Sequence, residues 1–317
     1  MCVSRAPAKV ILFGEHWVVS GGKALAASVG LYSEVEAVAD PSGSSVVVMS
    51  EKLGLVEDLS ECRHMCQLRR VVEYIQETYG VEMMPAKAII RSQIPLGSGL
   101  GSSASVAVAF AAAYSCLLGL DLSASEVSQV AFEAEKVVHG KPSGIDNTVV
   151  SHGGFLVYRR GSSVEFISTG VPRVDILIVD SGVKRSTKVA VEAFQQRLAR
   201  LGRLGRALFD VQEALVSEAI NALARSDVKR LGELMDVAQG LLNAMGVSHP
   251  EIERILHIAR SAGAYGGKLS GAGLGGIAIV VVDRANMDAV MSRVAEMGYS
   301  VYRAPLGVEG VRVAVRA

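Results

Sequence analysis

The chain has 317 residues, half of them apolar, and its 32 Lys and Arg residues balance 32 Asp and Glu residues. A net charge near zero gives no general electrostatic attraction to nucleic acid or to an anionic membrane, so neither is expected as the main partner. The length favours two domains, which we predict to span residues 1–170 and 171–317.

The cysteines are few and unevenly spaced, at Cys2, Cys62, Cys66 and Cys116. This usage favours free thiols in a reducing cytosol over a disulfide framework. Cys62, His64 and Cys66 lie close together, but no second Cys/His pair with zinc spacing follows, so a metal site is not expected there. Charged residues also interrupt the N-terminal segment, so a signal peptide is not expected. A cytoplasmic protein is the expectation.

Strands and turns alternate in the N-terminal part of the chain. Strands are predicted over the segments `AKVILFGE`, `SEVEAVAD`, `SSVVVMS` and `AKAIIRS`, with an amphipathic helix over Cys62–Tyr79 before the last of them. The uncharged run Ser102–Leu120 reads as a buried helix and not as a membrane span, since Ala and Ser dominate it. A further helix runs from Ser123 to His139, with Glu126 in capping-box spacing.

The second half of the chain is helical in its middle and returns to sheet at its end. Strands are predicted at `GGFLVYR`, `VEFIST` and `VDILIVDSG`, and helices dominate from Ser186 to Ala262. The tail gives `GKLSGAGLGGIAIVVVD`, a helix over Asn286–Met297, `YSVYRAP` and `VRVAV`. These elements indicate an α+β protein of packed layers.

A glycine loop, `IPLGSGLGSSAS` at Ile94–Ser105, leads directly into the predicted buried helix. Glycine permits positive φ and close backbone approach. A loop of backbone N–H groups that begins a helix is suited to an anion, most often a phosphate. The sequence therefore predicts a phosphate site here.

Two common phosphate loops are excluded by spacing. A Walker A loop requires a Lys after its glycines, and none follows Gly101. A dinucleotide-binding unit would use an acid about 20 residues on, at the end of a second strand, but Asp121 begins a helix instead. The `GAGLGG` segment at 271–276 leads into a strand and not into a helix, so it is a weak match.

Three motifs in order resemble the GHMP kinases, the superfamily of galactokinase, homoserine kinase, mevalonate kinase and phosphomevalonate kinase. They are `APAKVILFGEHWVVSGGKALA`, `PLGSGLGSSAS` and `KLSGAGLGG`, and they span nearly the whole chain. The segments `KVILFGEH`, `EKVVHGKPSGIDN` and `RSTK` resemble the mevalonate kinase branch. The resemblance implies an N-terminal ribosomal S5 domain 2-like fold and a C-terminal ferredoxin-like fold.

The resemblance also assigns residues to ATP and magnesium. The loop that would bind the ATP phosphates consists of Pro95, Leu96, Gly97, Ser98, Gly99, Leu100, Gly101, Ser102, Ser103 and Ala104. On the Ser123–His139 helix, Glu135 lies at the margin of an apolar face that is predicted to contain Val127, Val130, Ala131, Ala134 and Val138. Position alone leaves Glu135 open as a surface residue or a cleft ligand. The resemblance makes Glu135 and the Ser103 hydroxyl the Mg²⁺ ligands.

The catalytic and acceptor residues follow from the same resemblance. Asp146, in a turn-rich loop, matches the catalytic base, and Lys9 lies beside it. The acceptor would be bound by Lys9, Glu15, His16, Asp146, Ser186 and Thr187. Two residues depart from the family pattern, because Trp17 and Leu274 replace smaller residues. We expect that Trp17 could reshape the acceptor pocket.

The implied activity is transfer of the ATP γ-phosphoryl group to the 5-hydroxyl of mevalonate, in isoprenoid synthesis. A sister kinase that acts on phosphomevalonate or on a sugar is the alternative within the family. A catalytically silent ATP-binding regulator is the alternative outside it, which the retained Asp146, Lys9 and Glu135 disfavour. The resemblance also suggests a homodimer.

Overall fold

The computed structural model describes residues 1–140, 142–159, 164–167, 174–184 and 186–315. Within these residues, no helix is long and apolar enough to cross a membrane. The uncharged run that could be mistaken for such a span forms a buried helix over Ser102–Leu117.

The first sheet contains both the first and the last strand of the described chain. Its strands are β1 Cys2–Phe13, β2 Lys23–Ala39, β3 Val46–Ser50, β4 Leu55–Asp58, β5 Ala86–Ser92, β6 Phe155–Arg159, β7 Glu165–Ile167 and β12 Arg312–Val315. They lie in the order β12-β1-β2-β5-β3-β4, and β6 pairs with β2 beside β5. The long strand β2 therefore joins two parts of one sheet.

Helices cover the sheet and enclose the first core. They are α1 Cys66–Tyr79, α2 Ser102–Leu117, α3 Ala124–His139 and α4 Ile145–His152. Because α2 is apolar all round, it lies inside the core, between the sheet and the neighbouring helices. The predicted capping box of α3 is present at Ser123 and Glu126. Two details of the prediction were wrong, since α1 begins at Cys66 and Val138 is exposed.

The second sheet is antiparallel and has the order β11-β8-β10-β9. Its strands are β8 Asp175–Asp180, β9 Ala264–Ser270, β10 Ile277–Val282 and β11 Ser300–Pro305. Its helices are α5 Thr187–Leu201, α6 Arg203–Ala224, α7 Val228–Ala244, α8 Pro250–Ser261 and α9 Met287–Glu296. Numbered within this part, the strand order is 4-1-3-2, the ferredoxin-like arrangement that the resemblance implies.

The two sheets share an apolar core. Val10 and Leu12 of β1 belong to the same buried cluster as Ile178 of β8 and Ile279 of β10. The predicted boundary near residue 170 lies outside the described residues. Strand β12, although it is last in sequence, pairs with β1 in the first sheet. The division into domains 1–170 and 171–317 stays a proposal.

The expectation of free thiols was wrong for all four cysteines. Disulfides join Cys2 to Cys116 and Cys62 to Cys66. The first bond ties the start of β1 to the end of α2, which are adjacent in the fold but far apart in sequence. The three-dimensional proximity of Cys2 and Cys116 could not be read from their spacing, and the second bond occupies the two cysteines considered as metal ligands.

Candidate active site

An ion pair between Lys9 of β1 and Asp146 of α4 lies at the centre of the site. Lys9 Nζ is 2.9 Å from Asp146 Oδ1. Lys9 is buried, whereas about a third of the Asp146 side chain is exposed. An ammonium in this arrangement can neutralise phosphate charge, and a half-exposed carboxylate can accept a proton. The structure thus brings together the two residues that the sequence predicts to be catalytic.

Asp146 lies in the first turn of α4 and not in a loop as predicted. Gly144, with φ 81, precedes the helix in the left-handed conformation. Asn147 Nδ2 donates to the carbonyl and hydroxyl oxygens of Ser128 on α3, at 3.0 and 2.9 Å. A carboxylate in the first turn is stabilised by the helix dipole. The Asn147 contacts fix this short helix, and with it Asp146, against α3.

The glycine loop connects β5 to α2 and exposes part of its backbone. Gly97 and Ser103 are exposed. Ser98 is buried, and its hydroxyl donates to the Pro95 carbonyl at 2.8 Å, so this side chain shapes the loop. Of the other predicted members, Leu96 is exposed, Pro95, Gly99, Gly101 and Ser102 are half-buried, and Leu100 and Ala104 are buried. The first N–H groups of α2 lack partners within the helix, which suits an anion at this end.

The loop packs directly on Lys9. The Lys9 N–H donates to the Leu100 carbonyl at 2.9 Å. Gly101 has φ 73, and a Cβ at this position would lie 2.8 Å from Lys9 Cγ and 3.0 Å from Lys9 Cε. The close approach therefore requires glycine, and it places the predicted phosphate loop beside the catalytic lysine.

Glu135 of α3 is a buried carboxylate whose pKa is influenced by both charges of the ion pair. It is 5% exposed, and no hydrogen bond or ion pair to its carboxylate occurs in the described part of the chain. Burial and the charge of Asp146 raise the pKa of Glu135 to about 8, although Lys9 acts in the opposite direction. A buried, unpaired carboxylate beside a second one fits a cation.

This donor set suits magnesium better than a metal that is enclosed by protein. The described residues contain no group of three or more His, Cys, Asp or Glu side chains that could hold a metal. Mg²⁺ is commonly held by one or two carboxylates, with waters and substrate phosphates as its other ligands. Glu135 and the exposed Ser103 hydroxyl, at the start of α2, are compatible with such a site.

Glu15 and His16 lie in the turn after β1 and contact the second sheet. Glu15 is 2% exposed, and its carboxylate accepts a hydrogen bond from Lys268 Nζ on β9. His16 Nε2 is 2.8 Å from the Ala272 carbonyl oxygen. The His16 ring stacks on Phe194 of α5, with 4.8 Å between the ring centroids. Both residues, which were predicted to bind the phosphoryl acceptor, therefore link the two sheets.

Ser186 and Thr187 are exposed at the start of α5. The Ser186 hydroxyl caps the helix by accepting the Val189 N–H at 3.5 Å. In the described part of the chain, neither hydroxyl forms a hydrogen bond to Lys9 or Asp146. The role of this pair in acceptor binding stays a prediction.

The two departures from the family pattern have different surroundings. Trp17 is fully buried in the core of the second sheet, edge-on to Phe194 and Phe209 at 4.9 and 6.1 Å between ring centroids. This packing does not support the expectation that Trp17 shapes the acceptor pocket. Leu274 has φ 56, a conformation that favours glycine, and its N–H donates to the Val247 carbonyl at 2.8 Å.

Sequence reasoning missed Lys268 and Phe194, which hold Glu15 and His16. Lys268 follows two buried glycines in an otherwise uncharged strand, and a lone lysine in such a strand is a signal for a buried partner. Phe194 gave no such signal, because an aromatic residue on an amphipathic helix is ordinary.

Comparisons with known proteins show which family this chain is similar to. Residues 67–154 match the GHMP kinases N terminal domain, and residues 219–300 match the GHMP kinases C terminal domain. Mevalonate kinase of Aeropyrum pernix is 36% identical over 98% of this chain and 97% of its own. Mevalonate kinase of Pyrococcus horikoshii is 37% identical over 86% of each chain.

A solved structure extends the likeness to the fold of the whole chain. The crystal structure of L. major mevalonate kinase in complex with R-mevalonate has a TM-score of 0.84 and 30% identity, and 96% of each chain is covered. The likeness in sequence and fold thus extends through both sheets. The chain belongs to the mevalonate kinase family of the GHMP kinases.

Proposed function

We propose that the protein transfers the γ-phosphoryl group of ATP to the 5-hydroxyl of mevalonate, giving 5-phosphomevalonate for isoprenoid synthesis. The observation that carries this proposal is the Lys9–Asp146 ion pair beside the glycine loop. The related L. major enzyme was crystallised with R-mevalonate, which supports mevalonate as the acceptor.

Each residue of the site has a role that its position permits. Backbone N–H groups of the loop 97–104 would bind the ATP phosphates at the start of α2. The Lys9 ammonium would offset the charge that develops on the transferred phosphoryl group. The half-exposed Asp146 carboxylate would orient the acceptor hydroxyl and receive its proton. Phosphoryl transfer depends mainly on such positioning and charge neutralisation.

Glu135 and Ser103 are the proposed protein ligands of Mg²⁺. When bound, the ion would neutralise charge on the ATP phosphates. The buried Glu135 carboxylate has no other partner in the described part of the chain, and it lies close enough to Lys9 and Asp146 to be influenced by both charges. The ligand oxygen of Ser103 would come from the same end of α2 that is proposed to bind the phosphates.

A coupled assay of ADP release tests the proposal across four acceptors: mevalonate, phosphomevalonate, homoserine and galactose. We expect kcat/KM for mevalonate to exceed that for each of the others by at least about 100-fold, since a site built for one set of polar groups rejects analogues that lack them. ³¹P NMR of the product should show a phosphate monoester coupled to the protons of C5.

Other outcomes identify the alternatives. Preference for phosphomevalonate or galactose would indicate a sister kinase. ATP binding without ADP release from any acceptor would indicate a silent regulator. From the family resemblance we also propose that the protein is a homodimer and that it is cytoplasmic. Light scattering of the purified protein would test whether it is a dimer in solution.

A further inference from the structure

Lys268 is buried completely, which is unusual for a lysine. Its side chain is 0% exposed on β9, and its Nζ donates to the Glu15 carboxylate and, at 2.5 Å, to the Leu269 carbonyl oxygen. Lysine is almost never buried to this extent unless it is paired. Glu15 is buried to a similar extent, which raises the pKa of its carboxyl group, and the backbone of Gly271 acts in the opposite direction.

The pair crosses from the first sheet to the second at the edge of the active site. Glu15 follows β1, six residues after Lys9, and Lys268 lies three residues before the loop 271–276. A parallel set of contacts runs beside it. Ser270 Oγ donates to the Ile11 carbonyl at 3.0 Å and accepts the Ile11 N–H at 3.2 Å, and His16 Nε2 lies 2.8 Å from the Ala272 carbonyl.

Stability alone does not account for this arrangement. Removing two charges from water costs several kcal/mol per ion, and an apolar pair of similar volume is often as stable or more stable. Burial raises the pKa of Glu15 and lowers the pKa of Lys268, which expresses that cost for both groups. An apolar pair would lack directional hydrogen bonds. The hydrogen bonds of the charged pair fix the position of the turn 14–16 relative to the loop 271–276.

We propose that Lys268 is a positioning residue for phosphoryl transfer, which acts by holding the Glu15 carboxylate and through it the turn 14–16 and the loop 271–276. The loop and His16 are thereby held beside the strand that presents Lys9. The inference rests on the proposed function, because its main readout is mevalonate-dependent turnover.

The test compares three variants: Lys268→Met, Glu15→Gln and the double variant. Lys268→Met leaves a buried carboxylate without its partner, so we expect its melting temperature to fall most. The double variant removes both charges, and we expect its melting temperature to recover much of that loss. The kinetics should not recover, because a misplacement of about 1 Å at a reacting site can cost about 100-fold in rate.

The expected kinetic result for the double variant is a fall in kcat/KM for mevalonate on the order of 100-fold. The Kd for ATP, which the loop 97–104 is proposed to bind, should change by less than about threefold. Arg303→Met with Asp175→Asn is the matched control, because it removes an exposed ion pair from the same sheet (Nη2 to Oδ2 2.7 Å) and should leave the kinetics unchanged.

A double variant that is folded by circular dichroism and has wild-type kcat/KM for mevalonate would overturn the proposal and leave the pair as packing. Equal losses of kcat/KM in the double variant and in the Arg303/Asp175 control would overturn it too. If the wild-type protein itself releases no ADP with mevalonate, the proposed function fails instead, so the two failures are distinguishable.

Discussion

The Lys9 ammonium and the Asp146 carboxylate lie 2.9 Å apart, although they come from the first strand and from a helix near the middle of the chain. The glycine loop packs on the methylene stem of Lys9, and the charges of Lys9 and Asp146 both influence the pKa of Glu135. The glycine loop, Glu135 and Asp146 are therefore all related to one residue, Lys9. Variants at each of them should give different kinetic signatures.

Glu135→Gln should weaken the use of magnesium, because it removes an anionic oxygen ligand while it preserves the shape of the side chain. Loss even of outer partners of a metal site typically costs about 10–100-fold in metal affinity. We expect the Mg²⁺ concentration for half-maximal activity to rise at least about tenfold, with partial recovery at high Mg²⁺.

The matched control for this variant is Glu133→Gln on the same helix, where the carboxylate pairs with Lys136 at 2.6 Å. Its Mg²⁺ dependence should equal that of the wild-type protein. An identical Mg²⁺ dependence of Glu135→Gln and Glu133→Gln would remove Glu135 from the metal site.

Gly101→Ala should lower kcat, because the added Cβ would collide with the stem of Lys9. Gly97→Ala is the comparison, since Gly97 has a similar φ of 68 but no atom within 4 Å of the added Cβ. In both variants the left-handed conformation of alanine destabilises the folded protein by about 1–2 kcal/mol. Only Gly101→Ala should displace Lys9. The kcat of this variant should therefore fall further than that of Gly97→Ala, by about 100-fold if Lys9 shifts by about 1 Å.

Steady-state kinetics with mevalonate, beside circular dichroism, measures this difference. Gly97→Ala is expected to change mainly the KM for ATP, because its position in the loop is exposed. Equal kcat values for the two variants would argue against a role of the Gly101 contact in placing Lys9.

The disulfide between Cys2 and Cys116 should contribute more to stability than the one between Cys62 and Cys66. The first spans 114 residues and the second spans 4. Loop-closure entropy predicts about 5 kcal/mol for the long loop and about 2 kcal/mol for the short one. Denaturant unfolding of the Cys2→Ser/Cys116→Ser and Cys62→Ser/Cys66→Ser variants measures both. A larger loss in the second variant would contradict the loop-length argument.

The local features of this fold could be predicted from the sequence. The glycine loop, the apolar helix α2 and the capping box of α3 depend on residues within a few positions of each other, and the structure confirms them. The strand order of the ferredoxin-like half followed from the family resemblance and not from periodicity. The apolar stripe of α3 located Glu135 at its edge, where the structure shows it buried.

The features that were predicted wrongly or missed depend on contacts between segments that are distant in sequence. Cys2 pairs with Cys116 because β1 and α2 are adjacent, and Lys268 meets Glu15 because β9 ends beside the turn after β1. Asp146 was assigned to a loop because Gly and Pro precede it, but the following residues continue as a helix that α3 supports. The spacing of residues within one segment cannot predict these contacts.

The central claim is that Asp146 acts on the acceptor hydroxyl in the transition state. The most direct measurement is the kcat of Asp146→Asn at saturating mevalonate, ATP and Mg²⁺, with the exposed Asp121→Asn as the charge-matched control. The account predicts a fall of about 10²–10⁴-fold for Asp146→Asn, with an unchanged Kd for ATP and wild-type kinetics for the control. A folded Asp146→Asn variant that retains more than about a tenth of the wild-type kcat would contradict the claim.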